Sequence, residues 1–268
     1  MAGSDVNDDP TTTGGMAAGP TPAAVIARAQ EQLFEPGRSS REKYQDLIVG
    51  RPGLAALAKY ELVIMLTQGL PGAIGLAMRK LMYPWLLGSC GHGVVFGQHV
   101  VLRHPHKIHI GNNVVVDDHC LIDAKGSTNL GIRIGDGAFI GRNTILSCKN
   151  GDITLSEGAN LGFNCEVFSA SRVTIGRQAL IAAYTYIIGG DHDFSDPAKA
   201  VIAQPRVSAG VTIGEGAWIG AGAKILDGVA VGDHAVIGAA AVVRESVPAG
   251  TIAVGIPARV VGARTDRS

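Results

Sequence analysis

One histidine, His192, stands where an imidazole could transfer a proton. It lies in the segment Gly189–Arg206, whose other ionisable groups are Asp191, Asp193, Asp196, Lys199 and Arg206. Histidine is neutral near pH 7 and can take a proton from a reacting hydroxyl, so His192 is a candidate general base. Asp191 or Asp193 could orient its ring. A solvated loop histidine with a solvated acidic flank is the alternative.

The segment Gly189–Arg206 interrupts a regular repeat. Aliphatic residues recur every six positions, and a small or β-branched residue follows each of them four positions later. The clearest aliphatic run is Ile213, Ile219, Ile225, Val231, Ile237 and Val243. A period of six fits neither an α-helix nor a simple strand, so it indicates a repeat architecture. Long loops within compact repeat domains are usually functional, so we expect the interrupting segment to carry part of the functional site.

The repeat predicts a mainly β fold shaped as a prism, with three short strands in each turn. Three hexads make one coil of 18 residues, as the interval from Ile213 to Val231 shows. The aliphatic residue of each hexad points inward and stacks on its equivalents in neighbouring coils. The small residue fits the tight corner, where glycine supplies a permissive backbone. Cys120 and Cys165 occupy this small-residue position, so we expect both thiols to face inward.

The chain divides into a tail, a helical region and the repeat domain. Residues 1–22 have almost no large apolar side chain and are predicted to be disordered. Residues 23–91 are predicted to be helical, residues 92–263 form the β domain, and residues 264–268 form a short tail. The predicted helices are Ala23–Phe34, Arg41–Val49 and Gly53–Leu87, the last broken at Gly69–Gly72.

The apolar helices have three interpretations. The uncharged run Leu62–Met78 is 17 residues long, which is short of the roughly 20 residues that span a bilayer. We favour a helical pair that caps the first coil near Val94–Val101. One alternative is a peripheral contact through residues 53–88, with Arg79 and Lys80 at the lipid headgroups. The other is a true transmembrane span.

The composition excludes several classes of protein. The 23 basic and 23 acidic side chains cancel, so the chain lacks the electrostatic footprint of a nucleic-acid binder. The 37 glycines are about twice the usual share, while 46% of residues are hydrophobic and only 5% aromatic. The core must therefore consist of small and β-branched side chains. The N-terminus lacks the basic and apolar stretches of a signal peptide.

The cysteines and the clustered histidines do not form a recognisable metal motif. No CxxC pair is present among Cys90, Cys120, Cys148 and Cys165. Reduced thiols in a cytoplasmic protein are the expectation. Near the start of the repeat lie His99, His104, His106 and His109. A zinc site is one interpretation of these histidines, but we favour a polar capping turn and expect no metal.

Four segments of the repeat domain resemble, in order and spacing, the hexapeptide-repeat acyltransferases, especially the maltose, galactoside and polysaccharide O-acetyltransferases. The segments are Ile213–Gly220, Val236–Ala239, Val242–Pro248 and Gly255–Arg259. The resemblance covers residues 92–263 and implies a left-handed parallel β-helix of hexapeptide repeats. It also implies that His192 acts as general base in moving an acetyl group from acetyl-CoA to a hydroxyl of a sugar or polysaccharide precursor.

The resemblance further implies a homotrimer and a set of contacts to acetyl-CoA. In the family the acyl groove lies between subunits, which places His192 of one chain near Trp218 of its neighbour. Trp218, Ala221 and Ala239 match residues that line the pantetheine arm, with Gly220 beside them. Packing against a neighbouring subunit is the alternative role of Trp218.

The groups that bind the CoA phosphates are less clearly matched. Arg259 corresponds to a family arginine near those phosphates. The family's Thr-Lys pair is replaced by Arg244–Glu245, so the positive charge moves by one position. A second family arginine is Gly262 here, and Arg264 could compensate.

The acceptor side departs further from the family. The family's acceptor-binding Asn and Asp fall on Gly162 and Ala170, although Asn164 lies close to the first. Asn164 could contact a hydroxyl of the acceptor, and Asp191 and Asp193 are further candidate substrate-binding residues. Tyr184 and Tyr186 could stack on sugar rings, or could instead pack at an interface. We therefore expect an acceptor other than a short disaccharide glycoside.

The sequence does not identify the acceptor, and two other functions remain as alternatives to the O-acetyltransferase. An acetyltransferase for a small amino acid or an antibiotic is the nearest alternative. A catalytically silent trimeric scaffold is an alternative from outside the enzymes. The expected location is the cytoplasm, with peripheral contact at the inner face of the membrane as a variant.

Overall fold

The hexads form short parallel strands that make up the three faces of a prism. The computed structural model describes residues 23–25 and 37–266. Face I consists of Ser89–Cys90, Ile108–Ile110, Ile132–Ile134, Asp152–Leu155, Arg172–Ile175, Val211–Ile213 and Ala230–Val231. Face II consists of Val95–Phe96, Val115–Val116, Phe139–Ile140, Asn160–Leu161, Leu180–Ile181, Trp218–Ile219, Val236–Ile237, Thr251–Val254 and Arg259–Ala263. Face III consists of Val101–Arg103, Leu121–Asp123, Ile145–Cys148, Glu166–Ser169, Tyr186–Gly189, Lys224–Ile225 and Val242–Val243.

Parallel register stacks the inward residues of each face into continuous columns. On face III, for example, Val167 pairs with Leu146 below it and Ile187 above it. These inward aliphatic side chains are fully buried, and each burial stabilises the fold by roughly 1.5–3 kcal/mol relative to an exposed side chain. Cys120 and Cys165 are also fully buried, which confirms their predicted inward position. The result is a mainly β solenoid of about 8 turns.

The corners between faces are tight and use left-handed backbone. Asn113, Asn143 and Asn164 occupy such corners with φ of 54°, 58° and 56°. Asparagine tolerates this conformation better than most residues. The backbone N–H of Asn164 donates to the Arg142 carbonyl of the coil below. Asn164 therefore has a structural role at its corner.

The helical segment begins with a capped turn. Helix α1, Ser40–Tyr44, starts with a capping box between Ser39 and Glu42 and continues into the π-helix Gln45–Val49. Helix α2 is Leu54–Thr67 and helix α3 is Gly72–Met82; the single-turn 3₁₀ helices are Tyr83–Trp85, Pro105–Lys107, Val201–Ala203 and Arg264–Asp266. The break predicted at Gly69–Gly72 is confirmed. No helix in the described part of the chain combines the length and the apolar character needed to cross a membrane.

Helices α2 and α3 cap the first coil of the prism. The Tyr60 hydroxyl donates to the Leu102 carbonyl at 2.8 Å, and the Tyr83 hydroxyl donates to the Val100 carbonyl at 3.3 Å. The side chain of Arg79 is buried and donates to the Phe96 carbonyl at 3.0 Å. The predicted cap is therefore confirmed. The placement of Arg79 at lipid headgroups is wrong, because its guanidinium satisfies backbone carbonyls inside the cap.

Two expectations for the N-terminal residues have different outcomes. Residues 1–22, predicted to be disordered, lie outside the described residues, and so does most of the predicted helix Ala23–Phe34. Its first three residues, Ala23–Val25, form a strand that pairs antiparallel with Arg206–Ser208. The helix prediction is wrong for those three residues, because a non-local partner strand supplies their hydrogen bonds.

Candidate active site

His192 sits at the start of the excursion that leaves face III after Gly189. The two residues Asp191–His192 pair antiparallel with Arg206–Ser208, so the base of the excursion is a small sheet. The imidazole is half-buried, and its Nδ1 atom is buried without a hydrogen-bond partner among the described residues. The Nδ1 atom is thus not engaged by any other group of the described chain.

Asp191 and Asp193 brace the backbone of the excursion. The Asp191 carboxylate accepts from the backbone N–H of His192 at 2.7 Å, and that of Asp193 accepts from the N–H of Ser195 at 2.9 Å. Hydrogen bonds from the backbone and the side chain of Ser195 lower the pKa of Asp193. In the described chain neither carboxylate bonds to the imidazole. Of the two alternatives for these carboxylates, the described structure therefore contains no hydrogen bond by which either one orients the ring.

Two residues that the sequence analysis did not single out hold the excursion in shape. The buried amide of Gln204 accepts from the backbone N–H of Asp196 at 3.0 Å and donates to the Lys199 carbonyl at 3.2 Å. The carboxylate of Asp227 accepts from two successive backbone N–H groups, of Ala209 and of Gly210, both at 2.8 Å. No local pattern reveals these roles, because each depends on how the excursion folds back.

The residues predicted to line the pantetheine arm lie at the corner between faces II and III. Trp218 is on face II, is 48% exposed and pairs with Leu180 and Val236. Ala221 and Ala239 are exposed at the corner itself. An indole beside such small side chains leaves a shallow, apolar strip on the surface.

Gly220 has a different role from its neighbours in this strip. Its backbone N–H donates to the Ile237 carbonyl at 2.8 Å, and the residue is buried. A Cβ at this position would lie 2.6 Å from the backbone nitrogen of Ala239 in the neighbouring coil. The absence of a side chain at Gly220 therefore lets two coils stack closely.

The arginines expected near the CoA phosphates are on the surface at the last coils. Arg244 is exposed. Arg259 is also exposed; its Nη1 atom donates to the Ala258 carbonyl at 2.9 Å and lies 3.5 Å from a Glu245 carboxylate oxygen. Arg264 lies nearby, with Nη1 3.5 Å from the His234 carbonyl. Solvent-exposed contacts of this kind are weak, so these cations are free to rearrange around an anion.

His192 and Trp218 do not meet within one chain. His192 follows the end of the strand Tyr186–Gly189, at the corner between faces III and I. Trp218 lies on face II, beyond the opposite end of face III. A strand of four residues alone spans more than about 10 Å. The described chain therefore presents two separate halves of the predicted site.

The candidate acceptor tyrosines are close together in the chain, one at the corner between faces II and III and one on face III. Tyr184 is 68% exposed and stacks above Asn164 at the Trp218 corner, where its N–H donates to the Phe163 carbonyl. Tyr186 lies on face III, with its ring centroid 5.8 Å from that of Phe168. Burial raises the pKa of Tyr186, and the Glu166 and Asp191 carboxylates add to this. Tyr186 is the first residue of the strand Tyr186–Gly189, and His192 follows the last residue of the same strand.

The clustered histidines make structural contacts. His99 stacks on His119, and His109 lies 3.0 Å from the Ser89 hydroxyl. The Nε2–H of His104 donates to the Asp46 carbonyl at 2.7 Å, and His104 stacks near His106. Within residues 23–25 and 37–266, no group of three or more His, Cys, Asp or Glu side chains is arranged to hold a metal ion.

Comparison with known proteins relates this architecture to a family. The family described as "Bacterial transferase hexapeptide (six repeats)" matches residues 210–245. Nodulation protein L of Rhizobium leguminosarum bv. viciae is 44% identical over 137 residues, which are 50% of this chain and 70% of that protein. The putative lipopolysaccharide biosynthesis O-acetyl transferase WbbJ of Escherichia coli (strain K12) is 31% identical over 149 residues, or 53% and 74% of the two chains. A galactoside acetyltransferase in complex with coenzyme A has a TM-score of 0.45 at 22% identity, covering 79% and 81% of the two chains.

The chain belongs to the hexapeptide-repeat transferases. Its fold is the expected parallel β-helix of hexapeptide repeats preceded by a helical segment. By class it is an acyltransferase, and the relatives place it among the acetyltransferases.

Proposed function

We propose that the chain is an O-acetyltransferase that moves an acetyl group from acetyl-CoA to a hydroxyl of a saccharide, with His192 as the general base. The observation that carries the proposal is the placement of His192. The chain leaves the prism there, and the half-buried imidazole has an unengaged Nδ1 atom and lies on the side of the Phe168–Tyr186 aromatic pair. The name of the Escherichia coli relative, an O-acetyl transferase of lipopolysaccharide biosynthesis, supports a saccharide acceptor.

The chemistry assigns one task to the imidazole. A sugar hydroxyl is a weak nucleophile until its proton leaves, so His192 takes that proton as the oxygen attacks the thioester carbonyl. The C–S bond then breaks, the acetyl ester forms, and the imidazolium returns the proton to the CoA thiolate. The base is neutral again after each cycle, and no covalent intermediate on the protein is needed.

The co-substrate is proposed to lie along the corner between faces II and III. Trp218, Ala221 and Ala239 form a surface strip that is apolar and narrow, as a pantetheine arm requires. Arg244 and Arg259 are exposed at the last coils and are proposed to meet the CoA phosphates. Because Arg259 lies near Glu245, it must exchange that contact for the phosphate.

The complete site is proposed to form between chains of a homotrimer. His192 and Trp218 lie at opposite ends of face III in one chain. A neighbouring copy related by a threefold axis can bring its Trp218 corner to the His192 corner of the first. One trimer would then contain three sites, each made from two chains.

The helical cap is proposed to dock on an anionic membrane surface. Its outward side exposes large apolar side chains, namely Leu54, Leu62, Met65, Leu66, Leu70, Ile74, Leu76, Leu81 and Trp85. So many large exposed apolar side chains within one segment are unusual on a protein that meets only water. The exposed charges around it are mostly basic, with Arg51, Lys59 and Lys80 against Glu61. This combination suits the interface of a bilayer with anionic lipids.

Vesicle sedimentation tests the membrane contact. The wild-type chain is expected to sediment with phosphatidylglycerol-containing vesicles and to remain in solution with purely zwitterionic ones. The double variant Ile74→Gln, Leu81→Gln should stay in solution with both, while Val261→Gln, at an exposed position on the last coils, should behave as wild type. If the wild-type chain does not sediment with the anionic vesicles, the proposed membrane contact is contradicted. A change of oligomeric state in the double variant would assign the face to a second copy instead.

The variant His192→Ala tests the proposed function. With a panel of hydroxyl acceptors, kcat should fall by about a hundred- to ten-thousandfold, the usual contribution of a general base. His192→Asn should behave similarly, because an amide cannot take the proton. Acetyl-CoA binding and the oligomeric state should persist in both variants. Asp196→Asn in the same excursion is the control and should keep most of the activity.

Two results would contradict this assignment. If His192→Ala keeps more than about a tenth of the wild-type turnover, the base lies elsewhere. If no hydroxyl acceptor supports thioester consumption, the chain acts on amines or serves as a scaffold.

A further inference from the structure

Three cations gather on the outside of the prism below the His192 excursion. Arg103 Nη1 lies 3.8 Å from the Asp123 carboxylate, which also accepts from the backbone N–H of Lys125 at 3.1 Å. Lys149 lies one coil above Lys125, and the positive charges of Arg103 and Lys149 act on it. Burial lowers the pKa of Lys125, the Asp123 carboxylate opposes this, and the charges of Lys149 and Arg103 add to the lowering. We call Arg103, Lys125 and Lys149 the basic corner.

The basic corner is not neutralised within the described chain. The Asp123 carboxylate, whose side chain is only 7% exposed, lies beside Arg103 and acts on Lys125, and no described carboxylate forms an ion pair with Lys149. The Nε atom of Arg103 is buried and has no hydrogen-bond partner among the described residues. Like charges held close together and a buried, unsatisfied donor both cost free energy. An anion bound at the corner would offset both costs.

The position of the basic corner relative to His192 follows from the ladder of coils. The N–H of Asn150 donates to the Lys125 carbonyl, that of Lys149 to Ser169, and that of Ala170 to Gly189. Neighbouring strands are about 4.8 Å apart. Lys149 thus lies about 10 Å, and Lys125 about 15 Å, below the strand end from which His192 follows.

An aromatic pair occupies the interval between the basic corner and His192. The Lys149 ammonium lies 5.6 Å from the centroid of the Phe168 ring, and that ring contacts Tyr186. The negative charge of Asp191, the residue before His192, contributes to the raised pKa of Tyr186. Lys149 and the two aromatic rings therefore contact one another across the three successive coils of face III that end at the His192 excursion.

We propose that the acceptor is a sugar carrying a phosphate or diphosphate group. The basic corner binds the phosphate, the sugar ring lies against Phe168 and Tyr186, and its hydroxyl reaches His192. The inference rests on the proposed function, which it narrows to phosphorylated saccharides. The diphosphate can belong to a nucleotide sugar or to a lipid-linked sugar, because the corner recognises the group that these two share.

Binding of inorganic pyrophosphate tests the basic corner without any catalysis. By titration calorimetry, wild-type protein should bind pyrophosphate, and Lys149→Gln and Lys125→Gln should each weaken binding at least about tenfold, the effect of losing one charge-assisted contact. Arg133→Gln, which removes an exposed cation from face I, should not change it. Absence of binding to wild type, or equal binding by all four proteins, overturns the proposal.

Kinetics with different acceptors then test whether phosphate binding at the basic corner contributes to acetyl transfer. The same hexose is supplied free, as a nucleoside diphosphate sugar and as a short-chain prenyl diphosphate sugar. The diphosphate forms should have a KM at least about tenfold lower than the free sugar, and Lys149→Gln should raise that KM while kcat is kept. A preference for one diphosphate form identifies the source of the group.

The two proposals fail in different ways in these experiments. Equal KM values for free and diphosphate sugars overturn the inference and leave the proposed function intact. Pyrophosphate binding without acetyl transfer to any sugar supports the corner as an anion site and contradicts the proposed function.

Discussion

The guanidinium of Arg79 donates hydrogen bonds to three backbone carbonyls where the cap meets the prism. Its Nη1 atom donates to the Thr67 carbonyl at 3.0 Å and to the Leu70 carbonyl at 2.7 Å, where α2 ends. Its Nε donates to Phe96 of the first coil. A cation is also favoured at the carbonyl end of a helix. One side chain thus joins the turn between α2 and α3 to the prism.

The variant Arg79→Met is expected to destabilise the cap strongly. It removes the donors of the Phe96 and Leu70 carbonyls, whereas the Thr67 carbonyl keeps the backbone N–H of Leu70 at 3.4 Å. A loss of about 2 kcal/mol is therefore expected, at about 1–3 kcal/mol for each buried carbonyl left without a donor. Lys80→Met changes the adjacent, exposed lysine and should shift stability by less than about 0.5 kcal/mol. Urea unfolding followed by circular dichroism measures both. Equal midpoints for the two variants would contradict the structural role of Arg79.

The two residues His192 and Arg79 show what sequence reasoning can find at this scale. His192 could be proposed from the sequence because its segment interrupts a strict repeat, and such an interruption is a local signal. Arg79 stands beside Lys80 in an apolar helix, and nothing local separates the buried cation from the exposed one. Its burial depends on which carbonyls the turn after Thr67 leaves free, and that is decided only when the helices meet the prism.

At the scale of elements, the π-helix Gln45–Val49 docks on two histidines of the prism. The backbone N–H of His104 donates to the Ile48 carbonyl at 2.7 Å, and the His104 ring donates to Asp46. The turn ends at Gly50, whose φ is 71° and where a Cβ would lie 2.6 Å from the His104 ring. Only a glycine permits the chain to pass so close to the imidazole.

This docking should weaken in mild acid. Burial lowers the pKa of His104, partly offset by Asp46 and Asp123, and burial with Arg51 lowers the pKa of His106 to about 4. Both folded-state pKa values lie below the unfolded value near 6.5. The neutral rings therefore contribute stability fully above pH 6.5, and this contribution is lost as the pH falls toward 4.

Hydrogen exchange of residues 40–50 measures this pH dependence. After correction for intrinsic rates, protection of this segment should be greater at pH 7.5 than at pH 5, while the inner strands of the prism keep theirs. The variant His106→Gln should flatten the dependence. Protection that is unchanged between the two pH values would show that the histidines do not control the docking.

The elements also differ in how far the sequence determines them. Each strand of the prism carries one inward aliphatic residue in a fixed phase, so its existence and its buried face follow from the hexads. The strand Ala23–Val25 has no such signal, because its hydrogen bonds come from Arg206–Ser208. The aromatic contact between Phe168 and Tyr186 was missed for a related reason: it joins outward residues of neighbouring coils.

At the scale of the whole molecule, one hydrophobic core runs from the cap to the last coils. The buried residues form a single cluster from Val49 to Ala258. The prism is therefore a rigid support, and its corners have fixed positions relative to one another. Because His192 and Trp218 stand on different corners, no local rearrangement of a few side chains can join them within one chain. The proposed site needs a second copy.

Mixed oligomers test this requirement directly. His192→Ala removes the base, and Ala239→Trp should block the pantetheine strip at an exposed corner; each variant alone should be nearly inactive. If every site takes His192 from one chain and the strip from its neighbour, trimers reassembled from equal amounts of both should regain about a quarter of the wild-type sites. Light scattering should give about three times 27.6 kDa for wild type and mixture. A site built within one chain predicts no recovery at all, and a monomeric mass would exclude sharing, so either result contradicts the trimer with shared sites.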